Sequence, residues 1–257
     1  MAEKLIQEND SVQKASIGNS FSELRKDRIL LAFFVIILIS GIAVRLIDYT
    51  EPGLWSDDMS TIPSGLLWFY PHNYYPGLAG QGEPAFGNLI IGVGCMLSGE
   101  DFSQVTKIKP MFYPDRPILL GEQLTKAEDY CRTPIVFFGI IFFLLIILLA
   151  FLVLDKFGII FVTAFYAFYP ELLQLSRWIH VDIIAYAFII AGLIFLWKSY
   201  SSEKKSKRET IYFCVSMIFF AFAFGTKLPS ALYFTFAILI ILEKYKAEVL
   251  SILRKIV

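Results

Sequence analysis

Long apolar runs separated by short polar segments set the pattern of this chain. A helix that crosses the hydrocarbon core of a bilayer needs about 20 apolar residues. Six apolar runs, of which the longest reach that length, cover residues 29–47, 133–154, 157–169, 183–197, 210–225 and 230–242. The pattern therefore predicts an all-α membrane protein, a polytopic helical bundle with about six transmembrane helices.

One long polar segment, residues 48–132, separates the first two predicted spans. It is rich in Pro, Gly, Tyr and acidic residues, and residues 48–103 contain no Lys or Arg. Within it, residues 86–97 are apolar but only about 12 residues long, too short to cross a bilayer. We therefore predict a long external loop that carries short interfacial or re-entrant helices.

Basic residues give the predicted orientation. Arg25, Lys26 and Arg28 precede the first span, and the loop at 198–209 carries further Lys and Arg. Short basic loops remain cytoplasmic, so the N-terminus is expected in the cytoplasm and the loop 48–132 outside. The predicted organisation is a cytoplasmic tail at 1–28, a transmembrane module at 29–242, and a cytoplasmic tail or the start of a truncated further span at 243–257.

Composition narrows the class further. Of 257 residues, 56% are hydrophobic and 18% charged, whereas soluble domains carry about 25% charged residues. The formal net charge is zero, which gives no basic signal for nucleic acid. Cys95, Cys131 and Cys214 form no metal-binding pattern, and Cys95 and Cys131 could pair if both lie outside, or remain separate thiols.

Adjacent acids follow Trp55 in the external loop and are the first candidates for chemistry. Asp57 and Asp58 lie in a stretch without Lys or Arg. A carboxylate there could accept a proton from an attacking hydroxyl or hold a divalent metal. The alternative is an exposed acidic turn, since Asp and Ser favour turns.

Two further candidates border the short apolar helix and the second span. Glu83 precedes Pro84 where the short helix opens, an arrangement that is also an ordinary helix start. Arg132 lies at the outer end of the second span. It could anchor the helix by snorkelling or hold a phosphate through its forked guanidinium.

Ionisable groups near the outer ends of later spans complete the set. Arg177, His180 and Asp182 follow the third span, and Arg177 could simply compensate Asp182 in an interfacial loop. Lys227 stands alone between two apolar runs, and it could snorkel outward or contact a lipid phosphate. Charges at these positions are costly by about 2.5 to 3.5 kcal/mol on insertion scales, so they suggest function.

The order of these motifs resembles the N-terminal module of polyprenyl-phosphate-dependent glycosyltransferases with the C-type fold, in particular the protein O-mannosyltransferase family. That family has an external Asp-Glu pair, a His-Pro-Pro-like segment that opens an apolar helix, an Arg followed by Pro, a Ser-Arg followed by Asp, and a Gly followed by Thr-Lys. The resemblance covers residues 29–242. The matching segments here are Asp57-Asp58, Glu83-Pro84-Ala85-Phe86-Gly87-Asn88, Arg132-Thr133-Pro134, Ser176-Arg177 with Asp182, and Gly225-Thr226-Lys227.

The chain departs from the family pattern in places. Asp58 stands where Glu is usual, and Glu83 replaces the loop His, which leaves the role of that His open. Family members also continue through further spans, so the chain is expected to be a fragment, a split subunit or a minimal member.

The resemblance implies transfer of a sugar, expected to be mannose, from a polyprenyl-phosphate carrier to a hydroxyl of a protein or lipid acceptor. The expected site is the outer or lumenal face of the cell membrane or endoplasmic reticulum, and the expected stereochemistry is inverting. In that scheme Asp57 is the base and Asp58 orients the acceptor. No cofactor is expected, although Asp57 and Asp58 could hold a divalent metal.

The remaining site residues take binding roles by the same resemblance. Arg132 is the first choice for the donor phosphate, with Arg177 and Lys227 as helpers. Substrate contacts are assigned to Glu83, His180 and Asp182. Membrane lipids are expected partners and nucleic acid is not. The alternative is a non-catalytic membrane subunit or lipid-binding scaffold, and no inverted repeat supports a transporter.

Overall fold

The computed structural model describes residues 22–47, 58–66, 69, 85–102 and 122–246. Regular structure in this part of the chain is helical, without strands. The elements are α1 (residues 22–26), α2 (Arg28–Leu46), α3 (Asp58–Leu66), α4 (Ala85–Met96), α5 (Glu122–Val153), α6 (Lys156–Phe168), α7 (Pro170–Leu175), α8 (Asp182–Tyr200), α9 (Lys207–Phe224), a 3-10 turn (Leu228–Ala231) and α10 (Leu232–Lys244).

Short polar turns begin several helices because their side chains satisfy free backbone N–H groups. The Asp27 carboxylate accepts a hydrogen bond from the Leu30 N–H at 3.1 Å at the start of α2. Asp155 accepts from the Gly158 N–H at 2.8 Å at the start of α6. The turns between the apolar runs are therefore helix caps as well as loops.

Three helices in the described residues are long and apolar enough to cross a membrane: Arg28–Leu46, Glu128–Val153 and Asp182–Tyr200. The predicted all-α membrane bundle is confirmed, but the other three predicted spans are less complete. α6 and α10 have 13 residues each, about 20 Å at 1.5 Å per residue, against a hydrocarbon core of about 30 Å. α9 has 18 residues and begins with the charged sequence Lys-Arg-Glu.

The second predicted span begins earlier than expected. We predicted a start at residue 133, whereas α5 begins at Glu122 and continues for 32 residues. The added turns read Glu-Gln-Leu-Thr-Lys-Ala-Glu, and most of these residues have high helix propensity. The helix therefore extends into the segment that was predicted to belong to the external loop.

Successive long helices of the chain run in opposite directions, so the helix ends lie at two opposite ends of the bundle. The Arg45 guanidinium near the end of α2 donates to the Tyr166 carbonyl near the end of α6 at 2.7 Å. At the opposite end, Lys244 of α10 donates to the Ser199 carbonyl of α8 at 2.8 Å. Lys244 Nζ also lies 2.7 Å from the Glu209 carboxylate at the start of α9.

Glycines allow several helices to approach closely, as is common in membrane bundles. A Cβ at Gly92 of α4 would lie 2.4 Å from the Gly65 carbonyl oxygen of α3. A Cβ at Gly192 of α8 would lie 2.5 Å from the Phe220 ring of α9. The backbones of α3 and α4 meet at the first point, and the Phe220 ring packs against the α8 backbone at the second, so larger residues would separate the helices.

Large apolar side chains also cover the outside of the bundle. Ile29 is 83% exposed, Phe161 71% and Leu232 72%. Monomeric soluble proteins rarely expose such extensive apolar surface. This surface fits the hydrocarbon of a bilayer.

The predicted short helix is present as α4, with 12 residues. Ile91 and Cys95 are fully buried in a core cluster shared with α5 and α8. A disulfide joins Cys95 to Cys131 of α5, so the pairing that the sequence left open is formed. α4 is therefore packed into the bundle despite being too short to span it.

The predicted cytoplasmic tail at 1–28 includes a short helical turn at its C-terminal end. Residues 22–26 form the helical turn α1, and Leu24 is fully buried with Phe34, Ile147 and Ile159. A buried Leu fixes this turn to the bundle, so the last residues of the predicted tail belong to the folded part.

Candidate functional site

Three separate sequence motifs meet at the start of α4. The Phe86 N–H donates to the Gly225 carbonyl at 2.8 Å, and the Phe86 ring stacks on Phe222 with centroids 5.0 Å apart. A Cβ at Gly87 would lie 2.6 Å from the Thr226 side chain and 2.8 Å from that of Val181. The absence of a side chain at Gly87 therefore lets α4 approach the residues beside Asp182 and Lys227.

An ionic cluster lies next to this junction. Lys227 forms an ion pair with the Oδ1 atom of Asp182, the first residue of α8. His180 Nδ1 lies 3.3 Å from the second carboxylate oxygen, Oδ2. The exposed fractions of the side chains are 29% for Lys227, 16% for Asp182 and 20% for His180. We call this group the Lys227–Asp182–His180 cluster.

His180 can interact with Asp182 in two protonation states. Its Nδ1 atom also lies 3.4 Å from the Asp182 backbone N–H. A neutral imidazole accepts that N–H, whereas a protonated imidazole pairs with the carboxylate. His180 is therefore a second group that can pair with the Asp182 carboxylate when the imidazole is protonated.

The cluster has the chemistry to bind an anion. An ammonium group has three donors, and the Asp182 carboxylate uses one of them. The Lys227 side chain keeps 29% of its surface exposed, so an arriving anion can reach the ammonium. Arg177 does not compensate Asp182 as one sequence interpretation suggested, because Lys227 and His180 do.

Arg132 has a different environment. Its side chain is fully buried and pairs with Glu128, one helical turn earlier on α5. Arg132 belongs to the other end of α4, where a Cβ at Gly94 would lie 2.5 Å from the Pro134 ring. Gly87 and Gly94 are seven residues apart, about 10 Å along the α4 axis. Arg132 and Lys227 are thus associated with opposite ends of α4.

Arg177 binds the end of the first helix. Its guanidinium donates to the carbonyls of Val44 at 2.7 Å and Ile47 at 3.1 Å. The last carbonyls of a helix have no partner within the helix, so Arg177 acts as a cap for α2. This long-range contact was not predicted.

Arg45 is a buried cation that the sequence interpretation missed. Its side chain is fully buried, donates to the carbonyls of Gly41 and Tyr166 at 2.7 Å each, and lies 4.5 Å from the Phe143 ring centroid. A lone Arg near the end of an apolar run was the available signal. Arg45 joins α2 to α5 and α6.

The predicted acids are only partly within the described residues. Asp57 and Glu83 lie outside them, and Asp58 is the first residue of α3. The described residues contain no group of three or more His, Cys, Asp or Glu side chains placed to hold a metal. The roles assigned to Asp57, Asp58 and Glu83 therefore remain predictions.

Together, the long apolar helices and the ionic cluster at one end of the bundle define a multi-pass helical membrane protein. Residues 130–252 match the model of a family described as dolichyl-phosphate-mannose-protein mannosyltransferase. The match confirms the resemblance predicted from the sequence and supports a mannosyltransferase-like function. Among the predicted site residues it includes Arg132, Arg177, His180, Asp182 and Lys227. Searches of curated proteins and of solved structures give no significant match.

Proposed function

We propose that the chain carries the donor site of a membrane glycosyltransferase that moves a sugar, specifically mannose, from a polyprenyl-phosphate carrier to an acceptor hydroxyl. The acceptor belongs to a protein or a lipid, and the anomeric configuration is inverted. The observation that carries the proposal is the Lys227–Asp182–His180 cluster, which lies beside the start of α4 and within the family match.

The donor phosphate is proposed to bind first at Lys227. The leaving phosphate gains negative charge as the sugar departs, and positioned cations stabilise such charge. Lys227 is held by Asp182 and remains 29% exposed. A phosphate oxygen can accept from a second donor of the ammonium while Asp182 keeps the first, which adds a charge-assisted hydrogen bond without breaking the ion pair.

Arg132 and Arg177 are proposed as secondary contributors to the phosphate site. Arg132 is fully buried against Glu128, and Arg177 already donates to two helix carbonyls. Either guanidinium would have to leave its protein partner to reach a donor. Lys227 therefore moves ahead of Arg132 as the main phosphate contact.

The chemical step is assigned by family resemblance to Asp57. The acceptor oxygen attacks the anomeric carbon while the bond from that carbon to the phosphate oxygen breaks. The phosphate leaves with the electron pair, and the hydroxyl proton passes to the Asp57 carboxylate. Asp58 orients the acceptor, and Glu83, His180 and Asp182 contribute substrate contacts.

The cluster is proposed to face the outer or lumenal side. The Cys95–Cys131 disulfide joins α4 to the N-terminal part of α5, away from the turn that begins α6, and disulfides persist in oxidising compartments outside the cytosol. The basic loop at 198–209 belongs to the opposite end of the bundle, as the positive-inside rule requires.

Transfer assays in reconstituted membranes test the proposal. The full product of the reading frame is supplied with radiolabelled polyprenyl-phosphate sugars and with protein or lipid acceptors. We expect transfer of mannose, and we expect Asp57→Asn to lower turnover by about a hundredfold or more while donor binding persists. Asp58→Asn should lower turnover less.

Two results would contradict the mechanism. Wild-type turnover in Asp57→Asn would make the acid pair an ordinary surface turn. Donor binding without any sugar transfer by the unmodified protein would favour the alternative, a lipid-binding scaffold.

A further inference from the structure

A charged cavity lies at the end of the bundle opposite the Lys227–Asp182–His180 cluster. It is open to solvent and has a volume of about 540 Å³. Its walls come from α1, the start of α2 and the turn that begins α6. The lining residues are Glu23, Lys26, Asp27, Arg28, Ile29 and Lys156.

The cavity is built by a fixed segment of the fold. Leu24 of α1 is fully buried and packs in a cluster that includes Ile159 of α6. This contact holds α1 against the bundle and brings Lys26 and Lys156, which are 130 positions apart in the chain, to the same cavity. The cations are therefore placed by tertiary packing.

Two of the three nearby acids are engaged with backbone groups, and the third, Glu23, also lines the cavity. Asp27 accepts from the Leu30 N–H at 3.1 Å, and Asp155, beside Lys156, accepts from the Gly158 N–H at 2.8 Å. Among the described residues, none of the ion pairs involves Lys26, Arg28 or Lys156. Lys26, Arg28 and Lys156 thus line the cavity together with the carboxylates of Glu23 and Asp27, which leaves an excess of one positive charge and no ion pair between them in that part of the chain.

Exposed apolar side chains adjoin these cations. Ile29 is 83% exposed and Phe157 62%, and each directly follows one of the cations in the sequence. Arg28 and Lys156 therefore stand at the boundary between the polar end of the bundle and its hydrocarbon-facing surface. A suitable ligand has an anionic head attached to hydrocarbon chains.

We infer that this cavity is a binding site for the headgroup of an anionic phospholipid. The phosphate lies between Lys26 and Lys156, and an acyl chain follows the surface of Ile29 and Phe157. This site is distinct from the proposed donor site, and it would give the basic end of the bundle a specific lipid contact.

Native mass spectrometry of the purified full chain in a neutral detergent tests this inference. The protein is titrated with phosphatidylglycerol or with phosphatidylcholine of the same acyl chains. We expect retention of phosphatidylglycerol and much weaker retention of phosphatidylcholine. Lys26→Gln with Lys156→Gln should weaken phosphatidylglycerol binding about 25-fold, or fivefold for each cation.

The matched control is the pair Lys204→Gln and Lys207→Gln, which removes two charges from the same end of the bundle outside the cavity. It should retain phosphatidylglycerol as the unmodified protein does. Thermal unfolding checks that the variants fold, and Lys26→Gln alone, with an expected fivefold loss, replaces the double variant if that one does not.

Three outcomes would overturn the inference. They are equal retention of both lipids, equal weakening by the control pair, and complete displacement of phosphatidylglycerol by millimolar inorganic phosphate. The last would indicate a site for small soluble anions. None of these readouts depends on donor binding or mannosyl transfer, so failure here leaves the proposed function untouched.

Discussion

Replacement of Lys227 by Gln tests the proposed phosphate contact directly. The variant keeps a polar side chain of similar length and removes the ammonium that pairs with Asp182. A hydrogen bond to a charged group is worth about 1.5 to 3 kcal/mol. We therefore expect affinity for the polyprenyl-phosphate sugar to fall by about 10-fold to 150-fold, and Lys227→Arg to restore part of it.

The same variant should cost little stability. The pair is neither fully exposed nor fully buried, with exposed fractions of 29% and 16%. Exposed pairs contribute about 0 to 1 kcal/mol, and loss of one partner from a buried pair costs about 3 to 5 kcal/mol. His180 Nδ1 lies 3.3 Å from the Asp182 carboxylate, and a protonated His180 can pair with that carboxylate in the variant. We therefore expect the free energy of unfolding to fall by about 1 to 2 kcal/mol.

Donor binding is measured with radiolabelled polyprenyl-phosphate sugar on protein in lipid nanodiscs, and stability by thermal unfolding. Lys244→Gln is the matched control, because Lys244 is also ion-paired, with Glu209, but at the opposite end of the bundle. Its side chain is only 6% exposed, so this control should lose more stability than Lys227→Gln. Its affinity for the donor should be unchanged.

The refuting result is a Lys227→Gln protein that binds donor as tightly as the unmodified protein. A second pair of substitutions then tests Arg132. Arg132→Gln with Glu128→Gln removes both buried charges together, which avoids leaving the Glu128 carboxylate unpaired. Loss of donor binding only in that double variant would return the primary phosphate role to Arg132.

The remaining predictions concern packing, covalent structure and orientation. Gly92→Ala should lower stability by about 1 to 3 kcal/mol, because its Cβ would lie 2.4 Å from a backbone carbonyl of α3. Gly225→Ala, whose Cβ would have its nearest neighbour at 3.3 Å, should lower stability less. Equal unfolding temperatures of the two variants would contradict the close helix contact. Cys95→Ser should lower the free energy of unfolding by about 4 kcal/mol, since the disulfide joins residues 36 positions apart. Reductant should lower the unfolding temperature of the unmodified protein to that of the variant. A cysteine introduced at Gly80 should react with a membrane-impermeant reagent only from outside, and one at Lys205 only from the cytoplasm; the reverse pattern would invert the assigned orientation.

Apolar periodicity predicted the helices well because burial in lipid or protein requires long apolar runs. It predicted the number of complete spans less well. α6 and α10 are apolar throughout most of their length, but each has only 13 residues. The run boundaries themselves agree with the helix ends to within two residues, since the runs 157–169 and 230–242 correspond to α6 (Lys156–Phe168) and α10 (Leu232–Lys244). The error was to count runs of this length as complete spans, because they are shorter than the roughly 20 residues that a crossing helix needs.

The partners of the candidate cations were harder to predict. The spacing of Glu128 and Arg132 is that of an ion pair on one helix face, but it was not recognised because residues up to 132 were assigned to a loop. The contact between Arg177 and Val44 joins positions 133 residues apart. No local pattern indicates such a contact, since it depends on how the end of α2 and the turn that follows α7 are brought together.

The disulfide between Cys95 and Cys131 affects which parts of the chain can change in length during evolution. It fixes the end of α4 to α5, while the Phe86 N–H bond to Gly225 fixes the start of α4. The chain between the two cysteines can therefore gain or lose residues without moving either anchor, because the entropy of closing a loop grows slowly with its length. Related chains can therefore differ in the length and sequence of this segment during evolution while α4 stays joined to α5 and to the residues before Lys227.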